Sequence, residues 1–143
     1  MLKNAKGEQL TVEFLLDSPL FERIALPYQQ SLELLGIGVA IKTVDSAQYE
    51  RRTQTFDYDI IVGNWGQSLS PGNEQREFWH SSMADIEGSR NLMGVKNPAI
   101  DALIDQVIAA PDREQLVLRT RALDRALQWN HYLIPQFHIS SYR

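Results

Sequence analysis

The sequence contains no cysteine, and this absence removes several kinds of chemistry. The chain can form neither a thiolate nucleophile nor a cysteine-ligated metal site, although the absence does not indicate a redox compartment. No apolar run approaches the roughly 20 residues that span a bilayer, so no membrane anchor is expected. The net charge of -4 at pH 7 gives no overall positive field for phosphate groups. Nucleic acid is therefore not an expected partner.

What is present is typical of a folded globular domain. The 143 residues correspond to about one domain, and 43% of them are hydrophobic while 22% are charged. Residues 1–8 are polar, unlike a secretory signal, and lead directly into a strand pattern. We therefore predict a single α/β domain over residues 1–143, excised from a longer protein.

The first third of the chain predicts a strand followed by a helix. Every second residue is apolar in residues 10–16, which is the period of a strand with one buried face. Ser18 and Pro19 are typical of a helix start, and an apolar stripe at helical spacing follows them up to Gly36. Pro27 lies inside that stripe and predicts a kink or a break, because proline lacks the N–H group and crowds the preceding turn.

The next segment predicts the pattern strand, helix, strand. Residues 38–44 are rich in β-branched side chains, and Asp45 can cap a short helix that reaches about Gln54. Residues 58–64 form the third strand of this prediction. The order β-α-β-α-β favours a mainly parallel sheet with right-handed crossovers, as in an α/β lobe.

The second half begins with a long segment that has no periodicity. Residues 65–94 are rich in glycine and serine, with a possible short helix at residues 73–83, and such long loops are often functional. Residues 133–139 are predicted to form a last short strand or an extended segment.

Two helices are predicted between these segments. Asn97 and Pro98 indicate the start of the first, whose apolar residues recur at helical spacing. Asp112 and Gln115 resemble a capping box at the start of the second, which we expect to end near Asn130.

The loop after the third predicted strand is the candidate site. The carboxyl ends of strands are where open α/β sheets bind ligands, which favours recognition over catalysis. We predict ligand contacts from Asn64, Trp65, Gln67 and Ser68. The indole of Trp65 offers a broad apolar face, although a tryptophan packed into the core fits the sequence equally well. The polar residues also suit ordinary turn hydrogen bonds.

An enzymatic alternative remains open at the same loop. Residues 66–70 approach the G-x-S-x-G nucleophile elbow, but serine stands at its last position. A small α/β hydrolase using Ser68 with His80 or His138 is therefore the second hypothesis. The spacing of His80, His131 and His138 matches no metal motif, so no metal, cofactor or catalytic residue is predicted.

Four segments of the chain carry a further signal through their order and spacing. They are GIGVAIKTV at 36–44, FDYDIIVGNWG at 56–66, NLMGVKNPAIDALI at 91–104 and ALDRALQWNHYLIP at 122–135. Together they resemble the carboxyl-terminal lobe of family 5 extracellular solute-binding proteins, the peptide/nickel class of ABC importers. The sequences of residues 68–79 and 88–94 are similar to the YejA-type oligopeptide-binding branch.

The resemblance implies a two-lobed periplasmic protein that captures an oligopeptide and delivers it to a membrane permease. Its implied partners are the peptide, the missing amino-terminal lobe and the permease, and no chemistry on the ligand is implied. In well-known members an aspartate three residues beyond the tryptophan pairs with the peptide amino terminus. Ser68 stands at that offset here, and Glu74 or Asp17 are candidate substitutes. The same lobe is also found fused to regulators, so a sensory ligand-binding module is a further alternative.

Overall fold

The chain divides after Asn64 into two units, Met1–Asn64 and Trp65–Arg143. The computed structural model describes residues 2–137. Among these residues, no helix has the length and apolar character needed to cross a bilayer.

A three-stranded parallel sheet organises the first unit. Its strands are β1 (Thr11–Leu16), β2 (Gly38–Thr43) and β3 (Ile60–Ile61), and β1 lies between the other two. The predicted mixed α/β fold with a mainly parallel sheet is confirmed.

The third strand is shorter than the predicted residues 58–64 and is only partly buried. Its ladder is limited by side chains at both ends. On the amino side, the Asp59 carboxylate accepts the Glu13 N–H at 2.8 Å. On the carboxyl side, the Val62 carbonyl accepts the Tyr49 hydroxyl at 3.1 Å. These contacts come from residues distant in sequence, so the apolar run alone overestimated the strand.

Two helices connect the strands, α1 (Glu22–Leu34) and α2 (Ser46–Gln54). A 3-10 turn at Pro19–Phe21 precedes α1, and the Ser18 side chain accepts the Leu20 N–H there. The Asp45 carboxylate accepts the Gln48 N–H at 2.9 Å and caps α2. The predicted start of α2 is confirmed, whereas Ser18 caps the 3-10 turn and α1 itself begins at Glu22.

The helix α1 continues through Pro27 and is not split there. Pro27 itself is exposed, whereas Ala25 on the same helix is buried against Phe14 and Leu16 of β1. This apolar packing stabilises the helix although Pro27 has no N–H to donate. The periodicity of the sequence does not show whether such packing is strong enough to offset the effect of a proline.

Replacing Pro27 by alanine should stabilise the first unit. Restoring one backbone hydrogen bond and removing the ring clash should raise its free energy of unfolding by about 1–3 kcal/mol. Hydrogen exchange of the β1 amides measures this change, and Gln30→Ala on the same exposed helix surface is the control. Exchange in the Pro27→Ala chain as fast as in the unaltered chain would contradict the prediction.

The outer border of β2 is partly covered by a side chain of α1. The Gly38 N–H donates towards β1, to the Leu10 carbonyl at 2.8 Å, so the next residue directs its backbone groups to the opposite border. There the Val39 carbonyl accepts the Gln29 side-chain amide at 2.9 Å. The helix thus satisfies a backbone acceptor that a neighbouring strand would otherwise use.

The second unit is helical in the part of the chain that the structure describes. Its helices are α3 (Glu74–Trp79), α4 (Pro98–Ile108) and α5 (Arg113–Trp129), with a 3-10 turn at Ser81–Met83. Their apolar faces form one buried core, to which α3, α4 and α5 all contribute. The core residues are Phe78, Trp79, Val95, Ile100, Ile104, Val107, Leu123 and Leu127.

The predicted caps of α4 and α5 are confirmed. The Asn97 side chain accepts the Ala99 N–H at 3.0 Å, and the Asp112 carboxylate accepts the Gln115 N–H at 2.8 Å. Asn130 ends α5, as expected. Residues 133–137 contain no strand, and the rest of the predicted segment 133–139 lies outside the described residues.

Candidate ligand-binding loop

The first feature of the candidate loop is Trp65, which is held in place by aromatic packing. Its ring centroid lies 5.3 Å from that of Trp79, with 33° between the ring planes. The indole Nε1 donates to the Arg90 carbonyl at 3.4 Å. The side chain packs against the core of the second unit and stays partly exposed. The two sequence interpretations of Trp65, core packing and surface platform, therefore do not exclude each other.

Gln75 connects the loop to the core below it. Only 4% of Gln75 is exposed. Its amide Nε2 donates to the Gln67 side-chain oxygen at 2.8 Å, and its own oxygen accepts the Trp79 indole N–H at 3.1 Å. Sequence analysis missed this residue, since a glutamine inside a short predicted helix carries no signal of burial. Gln75 thereby fixes the orientation of the Gln67 side chain.

The tip of the loop is held by hydrogen bonds between side chains and backbone groups. The Ser68 hydroxyl accepts the Ser70 N–H at 3.1 Å, a common turn contact. The Leu69 carbonyl accepts a hydrogen bond from the Arg113 guanidinium at the start of α5. The Leu69 side chain is 87% exposed. The loop therefore presents Gln67, Ser68 and Leu69 at the surface on a restrained backbone.

Glu74 provides a negative charge next to the loop. Burial opposes its ionisation, but hydrogen bonds from the Gly72 N–H, from its own N–H and from the Gln75 amide outweigh burial and lower the pKa of Glu74. The Gly72 N–H lies 2.8 Å from Oε1. The side chain is a carboxylate at neutral pH, as the hypothesis of a substitute for the missing aspartate requires.

Asn64 differs from the other three predicted residues, because it ends the first unit whereas they belong to the second. Its side chain is exposed. The structure brings Trp65, Gln67 and Ser68 together on one restrained loop. Contact with a ligand stays a prediction for all four residues.

The histidine near the loop is engaged elsewhere. His80 Nδ1 lies 2.9 Å from the Ser82 hydroxyl and accepts the Ser82 N–H at 3.1 Å, which makes it the cap of a 3-10 turn. In the part of the chain that the structure describes, no hydrogen bond joins Ser68 to His80. His138 lies outside the described residues. Among residues 2–137, no three metal-ligating side chains form a group that could hold an ion.

Comparison with known proteins shows which protein family the chain is similar to. The model for bacterial extracellular solute-binding proteins, family 5 Middle, matches residues 2–85. The probable peptide-binding protein YejA of Agrobacterium fabrum is 52% identical over 138 residues, which are 96% of this chain and 22% of that protein. The peptidoglycan-binding protein YepA of the same organism is 43% identical over 98% of this chain and 23% of its own length.

A solved structure shares the fold. The oligopeptide-binding protein AppA of Bacillus subtilis, in complex with a nonapeptide, matches 90% of this chain and 26% of its own chain with a TM-score of 0.76. At 24% identity, this likeness concerns the fold alone. The chain spans about a fifth of the length of the curated relatives above.

Proposed function

The chain belongs to the bacterial extracellular solute-binding proteins of family 5, and we propose that it is part of the substrate-binding component of an ABC importer. The family model matches residues 2–85, which is more than half of the chain. The predicted family resemblance and its YejA-type branch agree with the relatives found.

The proposed ligand is an oligopeptide. The observation that carries this proposal is the 52% identity, over 96% of the chain, to a protein named as a probable peptide-binding protein. In the full-length protein, this chain belongs to one of two lobes that close over the peptide in the periplasm. The complex then docks on a membrane permease. Capture and release of this kind need only closure and opening of the lobes.

The loop described above suits binding that tolerates different peptide sequences. Trp65 offers an apolar ring that packs on varied side chains, and Gln67 and Ser68 offer polar groups close to it. Asn64 precedes them in the same segment and completes the proposed set of ligand contacts. Because Gln75 and Arg113 already hold the loop, little ordering is required when a ligand binds.

We propose no catalytic role for this chain. A serine hydrolase needs its nucleophile within hydrogen-bond reach of a base, and the described contacts of Ser68 and His80 lead to other partners. A sensory role and a transport role predict different segments upstream of the lobe in the full-length sequence. A secretion signal in the full-length sequence supports transport, and a DNA-binding segment supports a sensor.

Mass spectrometry of the ligand that copurifies with the full-length protein tests the proposal. We expect peptides of several residues, released on denaturation. Peptides that carry peptidoglycan sugars or D-amino acids would place this protein closer to the YepA relative. A metal chelate or a free sugar as the main ligand would overturn the proposal.

A further inference from the structure

The indole of Trp79 fixes the orientation of a buried amide below the candidate loop. An indole N–H can only donate, so the Gln75 atom that lies 3.1 Å from Trp79 Nε1 is the amide oxygen. The Gln75 nitrogen lies 3.2 Å from Oε1 of the Glu74 carboxylate, which can only accept. Only 4% of Gln75 is exposed, and both contacts require the same orientation of its amide.

Gln75 passes this orientation on to Gln67. The Gln75 Nε2 donates to the Gln67 amide at 2.8 Å, so the Gln67 atom that faces Gln75 must be the oxygen. The Gln67 NH₂ group then points away from Gln75, and Gln67 is exposed. Within residues 2–137, no hydrogen bond uses this NH₂ group. The loop therefore presents two N–H donors whose direction is set from the core.

The charge next to Gln67 limits which acceptor these donors suit. Glu74 and Gln67 each place an oxygen on the same nitrogen, Gln75 Nε2, so the Glu74 carboxylate lies close to the Gln67 amide. The negative charge of Glu74 repels an anionic group, whereas a neutral carbonyl oxygen accepts an N–H without that cost. The arrangement thus favours an amide carbonyl over a carboxylate.

The contact with Gln75 also lowers the entropic cost of using Gln67 for recognition. An exposed glutamine ordinarily loses rotamer freedom when a partner binds it. Gln67 is already held by Gln75 and has less freedom to lose. The Gln75 amide in turn is fully bonded on both sides, which offsets the cost of burying it.

We propose that the Gln67 NH₂ group donates to an amide carbonyl oxygen of the ligand, with Gln75 as the positioning residue that keeps the NH₂ group directed outward. This contact rests on the proposed function, because it names the ligand group that one of the predicted contact residues binds. It involves no charged group of the ligand and no contribution from Trp65. It can therefore be absent while peptide capture itself stands.

Isothermal titration of the full-length protein with four probes tests this contact. The probes are tetra-alanine and its three analogues in which sulfur, a weaker acceptor, replaces one amide oxygen. At least one analogue should bind about fivefold more weakly than tetra-alanine. Gln67→Ala should weaken tetra-alanine by about fivefold but weaken that analogue by less than about twofold, since the contact is already lost there. Equal weakening of all four probes by Gln67→Ala overturns the proposed contact and leaves peptide capture intact.

Gln67→Glu tests the direction of the hydrogen bond. Glutamate keeps an oxygen for Gln75 but replaces the outward NH₂ group by a second oxygen, so tetra-alanine should bind about tenfold more weakly or worse. Gln106→Glu is the matched control, because Gln106 is exposed on α4 and its side chain has no hydrogen bond with any described residue. It changes the net charge equally and should bind tetra-alanine as the unaltered protein does. Equal binding by the two variants would show that no N–H of Gln67 faces the ligand.

Gln75→Met tests the positioning role. Methionine keeps an unbranched side chain but removes the amide, so the Gln67 amide can turn either way. The preference for tetra-alanine over the analogue that depends on Gln67 should then fall below about twofold, which a loss of packing alone does not produce. An unchanged preference would exclude Gln75 as the positioning residue. The two Gln67 variants decide the contact if Gln75→Met does not fold, and an unaltered protein that binds none of the probes would overturn peptide capture as well.

Discussion

Trp65→Ala in the full-length protein is expected to weaken peptide binding by about 30-fold, equivalent to about 2 kcal/mol. The Trp65 ring rests on Trp79 and is anchored through its indole N–H, so its position is set before a ligand arrives. A fixed aromatic surface of this kind contributes binding free energy at a low cost in conformational entropy. Titration calorimetry with the peptide identified by mass spectrometry measures the change.

Two further variants separate binding from folding in this experiment. Trp129 is 81% exposed on α5, so Trp129→Ala removes an indole of the same unit without removing a core contact. It should bind the peptide as the unaltered protein does. Trp65→Phe keeps an aromatic ring over Trp79 and should recover most of the affinity. If Trp65→Ala and Trp129→Ala bind equally well, Trp65 is a packing residue and leaves the proposed site.

Asn91→Leu is expected to lower the free energy of unfolding of the second unit by about 3 kcal/mol or more. Asn91 is fully buried. Its amide donates to the His80 carbonyl at 3.1 Å and to the Val95 carbonyl at 3.0 Å, and its oxygen accepts the Val95 N–H at 2.8 Å. Leucine has the same branching of side-chain heavy atoms but satisfies none of these backbone groups, so their desolvation is no longer compensated.

The positions of the tryptophans allow the stability of the second unit to be measured separately. All three tryptophans of the chain lie in the second unit, so tryptophan fluorescence during denaturation follows that unit alone. Asn73→Leu is the control, since Asn73 is exposed and its side chain caps no helix. A denaturation midpoint of Asn91→Leu that coincides with the control would show that the buried amide contributes little.

The features that the sequence predicted well depend on residues close together in the chain. Asp45, Asn97 and Asp112 each accept a hydrogen bond from an N–H two or three residues later. A short stretch of sequence is therefore enough to predict these helix starts. The parallel strand order followed from the alternation of strands and helices, because right-handed crossovers leave few arrangements.

The features that the sequence did not predict depend on distant residues. The Asp59 carboxylate that limits β3 bonds a residue 46 positions away, and Arg113 reaches Leu69 across 44 positions. The buried roles of Gln75 and Asn91 likewise arise only once several elements pack around them. The polar composition of the loop therefore predicted a candidate place for ligand contacts, but not which side chains hold the loop in shape.

The contact between Gln29 and Val39 also bears on self-association. Strands at the margin of a sheet attract other chains, and proteins commonly obstruct them to prevent aggregation. An incoming polypeptide that extends the sheet beyond β2 competes with the Gln29 amide for the Val39 carbonyl. One side chain of α1 thus makes it less favourable for a strand of another copy to pair with β2.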